Sequence, residues 1–305
     1  KHYQRSSVNI CSIRRVNKIL TRWLEKLEEI RIVILFLLLL CRIKTNDIIF
    51  LTEYLHPRIN QLYLSKLLKR NKPSIKVYGL AHLTPTLLKD LMVDEKCMSI
   101  WDNNVDYFVT LGSNLTKYIE SLGVSSQKII TTRHYVDMQY YNNSVYENSS
   151  FQVIVIGSMQ RKYSQLEEIV RLCPNIKFII CAGREKLIQF AHFSNVTILG
   201  YVSETELIQK MAQSSVSLSV MEDTVGSNVI VTSMAMGLCQ VVSDVGAIHD
   251  YCCDDNAYFC SETEEFVSAL QYLYSHREVL YQKRINAQLV AKEYSIQRFV
   301  KDLSL

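Results

Sequence analysis

The sequence lacks the features that mark several large protein classes. With 4 prolines in 305 residues and 48% hydrophobic residues, it is not a disordered chain. It contains no G-x-G-x-x-G and no Walker sequence, so the common dinucleotide and P-loop motifs are absent. Its nine cysteines are scattered, odd in number and without a C-x-x-C pair. This pattern argues against a disulfide framework or a zinc site and favours a reducing cytosol.

A long hydrophobic run is also missing. The strongest candidate, IRIVILFLLLLC at residues 30–41, has 12 residues. A helix that spans a membrane needs about 20. The run therefore favours a buried helix, with a segment at a membrane interface as the alternative.

Positive charge is concentrated in the first quarter of the chain. Residues 1–76 hold 16 Lys and Arg against 5 Asp and Glu, a net charge of +11. The whole chain carries +4, so the remaining residues carry −7. A basic first portion suits anionic lipid, a phosphorylated acceptor or nucleic acid, and a solvated face is the alternative. Nucleic acid ranks lowest because no RNA-binding motif or recognition-helix pattern accompanies the charge.

Apolar runs alternate with amphipathic helical patterns, which is typical of parallel α/β sheets. Strands are predicted at residues 47–55, 74–85, 105–112 and 127–137, and then at 151–159, 176–183, 196–202, 216–221, 239–246 and 256–260. Helices are predicted at residues 13–41, 57–71, 113–123, 164–173, 203–214 and 262–303. The polar segment 138–150 has no apolar period and indicates a linker. The predicted domains are 1–140 and 151–290, with a linker at 141–150 and a final helix at 291–305.

The turn GSMQRKYS follows one predicted strand. In open α/β sheets, ligands bind beyond the carboxyl ends of the strands. Gly157 permits a close backbone approach, and Arg161 and Lys162 add two cations within one turn. A diphosphate that departs as a leaving group needs such donors. An ordinary surface Arg-Lys pair is the alternative.

A second turn, in DTVGSNVIVTSMAMG, precedes a helix without charge. Ser227 or Asn228 is the expected cap of that helix. The N–H groups that stay free and the positive helix end suit a phosphate or sugar hydroxyls. A capped core helix without a ligand is the alternative. His82 also follows a strand, as do Glu53 and His56, but isolated residues of these types are more often structural.

Together these motifs resemble the GT-B glycosyltransferases, specifically the retaining glycosyltransferase family 4. VIVIGSMQRK looks like the family's strand, glycine and basic residues that hold the donor diphosphate. NVTILGYVSETELIQKMAQSSVSLSV is similar to its strand, Gly-Tyr-Val turn, helix and following strand. TSMAMGLCQVVSDVGAIHDY resembles its Glu-Ala-Met-Ala run, and YSIQRFVKDL its final helix. VDYFVTLGSNLTKYIESLG with KIITTRHYVD looks like the end of its acceptor domain.

The resemblance implies two Rossmann-like α/β domains with parallel sheets, the first of them shortened at its N-terminus. Residues 1–140 become the acceptor-side domain and 151–290 the nucleotide-sugar-binding domain, and the helix at 291–305 crosses back to the first. The implied catalytic residues are His82, which faces the transferred sugar, Arg161 and Lys162. The implied donor-binding residues are Gly157, Ser158, Tyr201, Asp223, Gly226, Ser227, Asn228, Val229 and Thr232. Glu53 and His56 fall on the acceptor side.

Two positions depart from the family pattern. Thr224 and Thr232 stand where the family has two glutamates, the second of which holds the ribose of the nucleotide. Glu222 and Asp223 lie beside the first place.

The expected function is a retaining glycosyltransferase that moves a sugar from a nucleotide sugar to a glycan or lipid-linked acceptor in cell-surface polysaccharide synthesis. We expect no metal or other cofactor, a cytoplasmic location that extends to the inner membrane face, and no nucleic-acid partner. The basic first half is the expected site of peripheral membrane contact. The main alternative is a catalytically weak GT-B-like subunit that supports a partner enzyme; a related epimerase is a third.

Overall fold

A computed structural model describes residues 18–56, 60–91, 93–146, 150–183 and 187–303. These residues form two compact units. The first unit contains the described residues up to 83, with 90–109 and 122–129, and the second contains 84–89, 110–121 and the described residues from 130 onward. The domain bounds given above stay a prediction.

The first sheet has four strands in the order β1-β2-β3-β4, and β1 pairs with β2 in parallel. Along the chain, the elements up to the last of these strands are α1 (Lys18–Leu40), β1 (Ile48–Leu51), α2 (Gln61–Asn71), β2 (Lys76–Ala81), α3 (Pro85–Asp90), α4 (Glu95–Asp102), β3 (Tyr107–Thr110), α5 (Ser113–Ser121) and β4 (Ile129–Thr131). All four strands lie within predicted runs. The short helices α3 and α4 are not predicted by the apolar pattern. The expected start of α2 at Pro57 and the first residues of the 13–41 helix lie outside the described residues.

Helix α1 buries only one of its faces. Ile32 and Phe36 are buried, whereas Ile34, Leu37 and Leu38 are each more than half exposed. The expectation of a buried helix therefore holds for one side alone. Across the described part of the chain, no helix combines the length and the apolar character needed to cross a membrane.

A buried tyrosine fixes the loop that follows β1. The ring of Tyr54 packs edge-on against Trp101 with centroids 4.8 Å apart, and its hydroxyl donates to the Trp101 carbonyl at 2.8 Å. Gly79 in β2 lies directly beneath this ring, since a Cβ there would be 2.4 Å from a Tyr54 ring carbon. Glu53 is next in the chain, and its N–H donates to the Gln61 side chain at 2.9 Å. The loop is thus held in place from both sides of Tyr54.

The second sheet has six parallel strands in the order β7-β6-β5-β8-β9-β10. Its elements are β5 (Gln152–Ile156), α6 (Tyr163–Leu172), β6 (Lys177–Cys181), β7 (Val196–Leu199), α7 (Glu204–Ala212), β8 (Val216–Ser219), α8 (Asn228–Ala235), β9 (Cys239–Ser243), β10 (Ala257–Cys260), α9 (Thr263–Ser275), α10 (Arg277–Ala291) and α11 (Ile296–Asp302). The central strands are buried on both faces, as a position between two helix layers requires, although β8 and β9 include the buried polar residues Ser217, Ser219 and Gln240. The chain adds β6 and β7 on one side of β5 and β8, β9 and β10 on the other. The boundary between β5 and β8 is therefore the topological switch point of a doubly wound sheet.

The C-terminal region is less continuous than its sequence predicts. The expected single helical stretch is divided into α9, α10 and α11, with breaks at His276 and between residues 291 and 296. Ser295 begins the last helix by accepting a hydrogen bond from the Arg298 N–H. Residues 141–146, in the predicted linker, form neither helix nor strand. Within the second unit, Asn143 donates to the Met236 carbonyl at 3.2 Å.

Candidate functional site

The candidate site lies at the carboxyl ends of β5 and β8. Loops that leave the two strands at a switch point diverge to opposite faces of the sheet and open a crevice. Here the β5 loop runs through Gly157 to Lys162, and the β8 loop runs through Val220 to Ser227. The two loops are joined by main-chain hydrogen bonds from Lys162 N to Val220 O (3.1 Å) and from Glu222 N to Gln160 O (2.9 Å).

Gly157 is the point where these loops and α8 meet. Its φ of +85° lies in the left-handed region, which glycine adopts without strain. A Cβ on Gly157 would lie 3.5 Å from Arg161 Nη2 and 3.8 Å from Val229 Cγ2. The cation of the first loop and the first turn of α8 therefore flank one bare stretch of backbone.

The Arg161 guanidinium is only partly paired. Its Nη2 donates to the Ile156 carbonyl at 2.7 Å. Its Nε and Nη1 atoms are shielded from solvent and have no hydrogen-bond partner among the described residues. Burial lowers the pKa of Arg161 to about 10, which still leaves it charged at neutral pH. A buried cation with unused donors is costly unless an anion completes its shell.

Lys162 and Ser158 complete the first loop. Lys162 immediately precedes α6, and its side chain caps no backbone group. Its ammonium has no ion-pair partner within the part of the chain that the structure describes. Ser158 follows Gly157 in the turn and is half-buried. The loop thus offers a second cation next to Arg161 in sequence.

Helix α8 begins as the sequence predicts. Ser227 is its N-cap and accepts from the Ile230 N–H at 3.3 Å. Of the hydrogen bonds formed within the described residues, none uses the N–H groups of Asn228 or Val229. Both donors point out of the helix start, where the helix dipole favours an anion.

Gly226 differs from its neighbours because its N–H is already used. It donates to Thr224 Oγ1 at 3.0 Å. Its φ is +86°, and a Cβ would lie 2.0 Å from the ring of Tyr251. Burial raises the pKa of Tyr251, whose hydroxyl donates to the Leu111 carbonyl at 2.5 Å. Gly226 is therefore not among the free donors of the turn.

The two threonines in the family's glutamate places are also engaged. Thr224 is buried and accepts the Gly226 N–H. Thr232 turns its hydroxyl back along α8 and donates to the Asn228 carbonyl at 2.6 Å, as Ser and Thr often do within helices. Neither side chain brings a negative charge to the turn.

His82 and Glu53 come together in the first unit, at the carboxyl ends of β2 and β1. His82 Nε2 lies 3.3 Å from Glu53 Oε2, and both side chains are about one-third exposed or less. His56 is buried close by in sequence. The pair is an ion pair whenever the imidazole is protonated.

Tyr201, in contrast, is mostly exposed in the turn after β7. Residues 223–227, called the donor turn below, are contacted by three residues that the sequence interpretation did not select. They are Thr86 and Asn114, at helix starts, and Tyr251, in the loop after β9. No short-range signal marks them, because their partners are more than 100 residues away or lie on another loop. Among the described residues, no three His, Cys, Asp or Glu side chains group as metal ligands.

A family comparison covers the second half of the chain. Residues 150–276 match the model of the family described as Glycosyl transferases group 1. No curated protein matches the sequence.

Solved structures with the same fold cover most of the chain. HepE from Anabaena, in complex with UDP-glucose, is 14% identical, with a TM-score of 0.69 over 85% of this chain and 78% of its own. The lipopolysaccharide outer core galactosyltransferase WaaB is 14% identical, with a TM-score of 0.67 over 91% and 78%. TarM from S. aureus is 14% identical, with a TM-score of 0.62 over 77% and 51%, so the chain spans about half of its length. The predicted GT-B fold with two Rossmann-like sheets is confirmed.

Proposed function

We propose that this chain, which has the GT-B glycosyltransferase fold, is a retaining glycosyltransferase that uses a nucleotide-sugar donor. The observation that carries the proposal is the partly paired guanidinium of Arg161 beside Gly157 and the open start of α8. Two buried N–H donors of a cation and two free main-chain N–H groups make a site for an anion with several oxygens. A nucleoside diphosphate has that chemistry.

The same donors suit the transfer reaction. The bond between the anomeric carbon and the diphosphate breaks while the acceptor oxygen bonds to that carbon, and the acceptor proton leaves with a diphosphate or solvent oxygen. Negative charge grows on the departing diphosphate. This charge is stabilised by Arg161, Lys162 and the N–H groups of Asn228 and Val229. Because these donors are already in place, they need not reorganise as the charge develops, and such fixed donors lower the barrier by several kcal/mol. No metal is needed for this charge compensation in our proposal.

The first unit is assigned the acceptor and the face of the transferred sugar. Glu53 Oε2 lies 3.3 Å from His82 Nε2, a contact that favours one orientation of the imidazole ring. His82 is proposed to contact the transferred sugar, and Glu53 and His56 to lie on the acceptor side. The acceptor is proposed to be a glycan or a lipid-linked sugar in cell-surface polysaccharide synthesis, a class in keeping with the printed name of WaaB.

Uridine diphosphate is the first nucleotide to test, because HepE binds UDP and UDP-glucose in solved complexes. Arg161→Met is expected to weaken UDP binding by about thirtyfold, as for the loss of charge-assisted hydrogen bonds. The variant should be at least as resistant to urea as the wild type, because it no longer buries a partly paired cation. Calorimetric titration and urea unfolding measure the two effects.

Arg171→Met is the matched control. Arg171 lies in helix α6, which begins two residues after Arg161; its side chain is exposed and, among the described residues, forms an ion pair with Glu168. It should bind UDP like the wild type. Equal UDP affinity in Arg161→Met and Arg171→Met contradicts the role of Arg161. If the wild type binds no nucleoside diphosphate at all, the alternative of a catalytically weak subunit is favoured, for which the engaged hydroxyls of Thr224 and Thr232 are the structural reason.

Retention of configuration has its own test. With a UDP-α-sugar that the chain hydrolyses, the first sugar released should carry the α configuration, before mutarotation mixes the anomers. Proton NMR distinguishes the anomers by the coupling of the anomeric proton. A β sugar formed first contradicts a retaining reaction.

The outer face of α1 supports a membrane contact. Leu27, Ile30, Ile34, Leu37 and Leu38 are each more than half exposed and follow one side of the helix. A helix that is apolar on all sides is normally covered. Since residues 1–76 carry a net charge of +11, an anionic membrane surface is the proposed cover. The chain would then act in the cytoplasm at the inner face of the membrane.

Vesicle sedimentation tests this contact. The wild type should sediment with phosphatidylglycerol vesicles and stay in the supernatant with phosphatidylcholine alone. Ile34→Glu with Leu38→Glu should lower binding about tenfold or more, since two exposed side chains no longer enter the interface. Ile188→Glu changes an exposed isoleucine of the second unit and is the control. Equal sedimentation of both variants contradicts a contact through α1.

A further inference from the structure

The Asp223 carboxylate is held by donors from three parts of the second unit. Its Oδ2 accepts from Thr86 Oγ1 at 2.8 Å and from Thr86 N at 3.3 Å. Its Oδ1 accepts from Thr224 N at 2.8 Å and, at a longer 3.5 Å, from Asn114 Nδ2. A carboxylate has about four lone-pair positions, so these bonds use its capacity.

The residues that bind the Asp223 carboxylate also fix the main chain at the start of the donor turn. The Thr224 carbonyl accepts from Asn114 Nδ2 at 3.0 Å and from Ala247 N at 2.9 Å. Gly246 closes against it, since a Cβ there would lie 2.1 Å from the Thr224 oxygen and 2.6 Å from Asp223 Oδ1. Only two residues then separate Thr224 from the helix cap Ser227. The direction in which the free N–H groups of α8 point therefore depends on these hydrogen bonds to Asp223 and Thr224.

We propose that Asp223 is a positioning residue for the nucleotide site, acting through Thr86 and Asn114 instead of contacting the donor. The proposal rests on the proposed function. A free carboxylate beside a diphosphate would repel it, whereas one that accepts four hydrogen bonds is directed into the protein and is compensated there. A turn that is fixed before binding loses less conformational freedom when the ligand arrives.

Thr86→Val tests the proposal because valine has nearly the shape of threonine and lacks the hydroxyl. Without the 2.8 Å bond, UDP should bind about tenfold more weakly, the lower end for a hydrogen bond to a charged group, because Thr86 is exposed. Asp223→Asn should have a similar effect, since an amide has one acceptor oxygen and cannot accept from both Thr86 and the Thr224 N–H. Thr86→Ser keeps the hydroxyl and should restore wild-type affinity.

Asp250→Asn is the matched control. The Asp250 carboxylate also accepts from one N–H and one hydroxyl, those of Ser113 at 2.6 and 3.0 Å, at the start of α5. The two aspartates thus make the same kind of contact, but Asp250 does not bond to the donor turn. Asp250→Asn should bind UDP like the wild type even if its melting temperature falls. Melting temperature and UDP affinity are measured on each variant of the full chain.

Each outcome decides between explanations. Weaker UDP binding in Thr86→Val and Asp223→Asn, with rescue by Thr86→Ser and no loss in Asp250→Asn, supports positioning. A loss in Asp223→Asn alone overturns it, because Asp223 then contacts the ligand directly. Wild-type affinity in both variants also overturns it and leaves the proposed function intact. If the wild type binds no nucleoside diphosphate at all, the proposed function is removed, and this inference with it.

Discussion

The candidate site depends on one buried, partly paired guanidinium. Arg161 is held over the β5 turn by a bond to the Ile156 carbonyl, while its Nε and Nη1 have no partner among the described residues. Burying such donors costs free energy, and a chain with a purely structural need at this place could use a methionine or leucine. An anion that enters the crevice relieves that cost. In our proposal, a diphosphate is the anion that pairs with these donors.

The neighbouring loops supply no acceptor, among the described residues, for the Nε and Nη1 donors of Arg161. Asp223, one of the two acids in the β8 loop, is bonded to Thr86, Asn114 and the main chain. Thr224 and Thr232 are neutral and are engaged with local main-chain groups. The N–H groups of Asn228 and Val229, at the start of α8, likewise have no acceptor among the described residues. A site with cations and N–H groups and without a free acid among these positions selects for ligands rich in acceptor oxygens.

The sequence predicts the parts of this structure that are encoded locally. Apolar runs predict the strands of both sheets, because a parallel strand covered on both faces is rich in apolar residues. A cap at Ser227 or Asn228 is predicted from local sequence, since a capping bond spans three residues, and the structure places it at Ser227. Gly157, Arg161 and Lys162 stand out because they follow a strand within one turn.

The remaining features arise from contacts that no local pattern records. The bond of Thr86 to Asp223 joins residues 137 positions apart, and Thr86 looks like any polar residue in a short helix. The use of the Gly226 N–H by Thr224 depends on the closed conformation of the turn, which Tyr251 and Gly246 impose from another loop. The exposed side of α1 is invisible in a run that is apolar on every face. Tertiary packing decides these points, as it does for most loop conformations.

Phosphorus NMR of bound UDP tests the central claim most directly, because it observes the groups that Arg161 and α8 are proposed to hold. With the wild-type chain in excess, both phosphorus resonances of UDP should shift and broaden, and uridine monophosphate, which lacks the second phosphate, should respond less. The account predicts that Arg161→Met largely abolishes the shift of both UDP resonances. If the phosphorus resonances of UDP and of every other nucleoside diphosphate stay at their free positions in the presence of excess wild-type protein, a nucleoside diphosphate site at the carboxyl ends of β5 and β8 is contradicted.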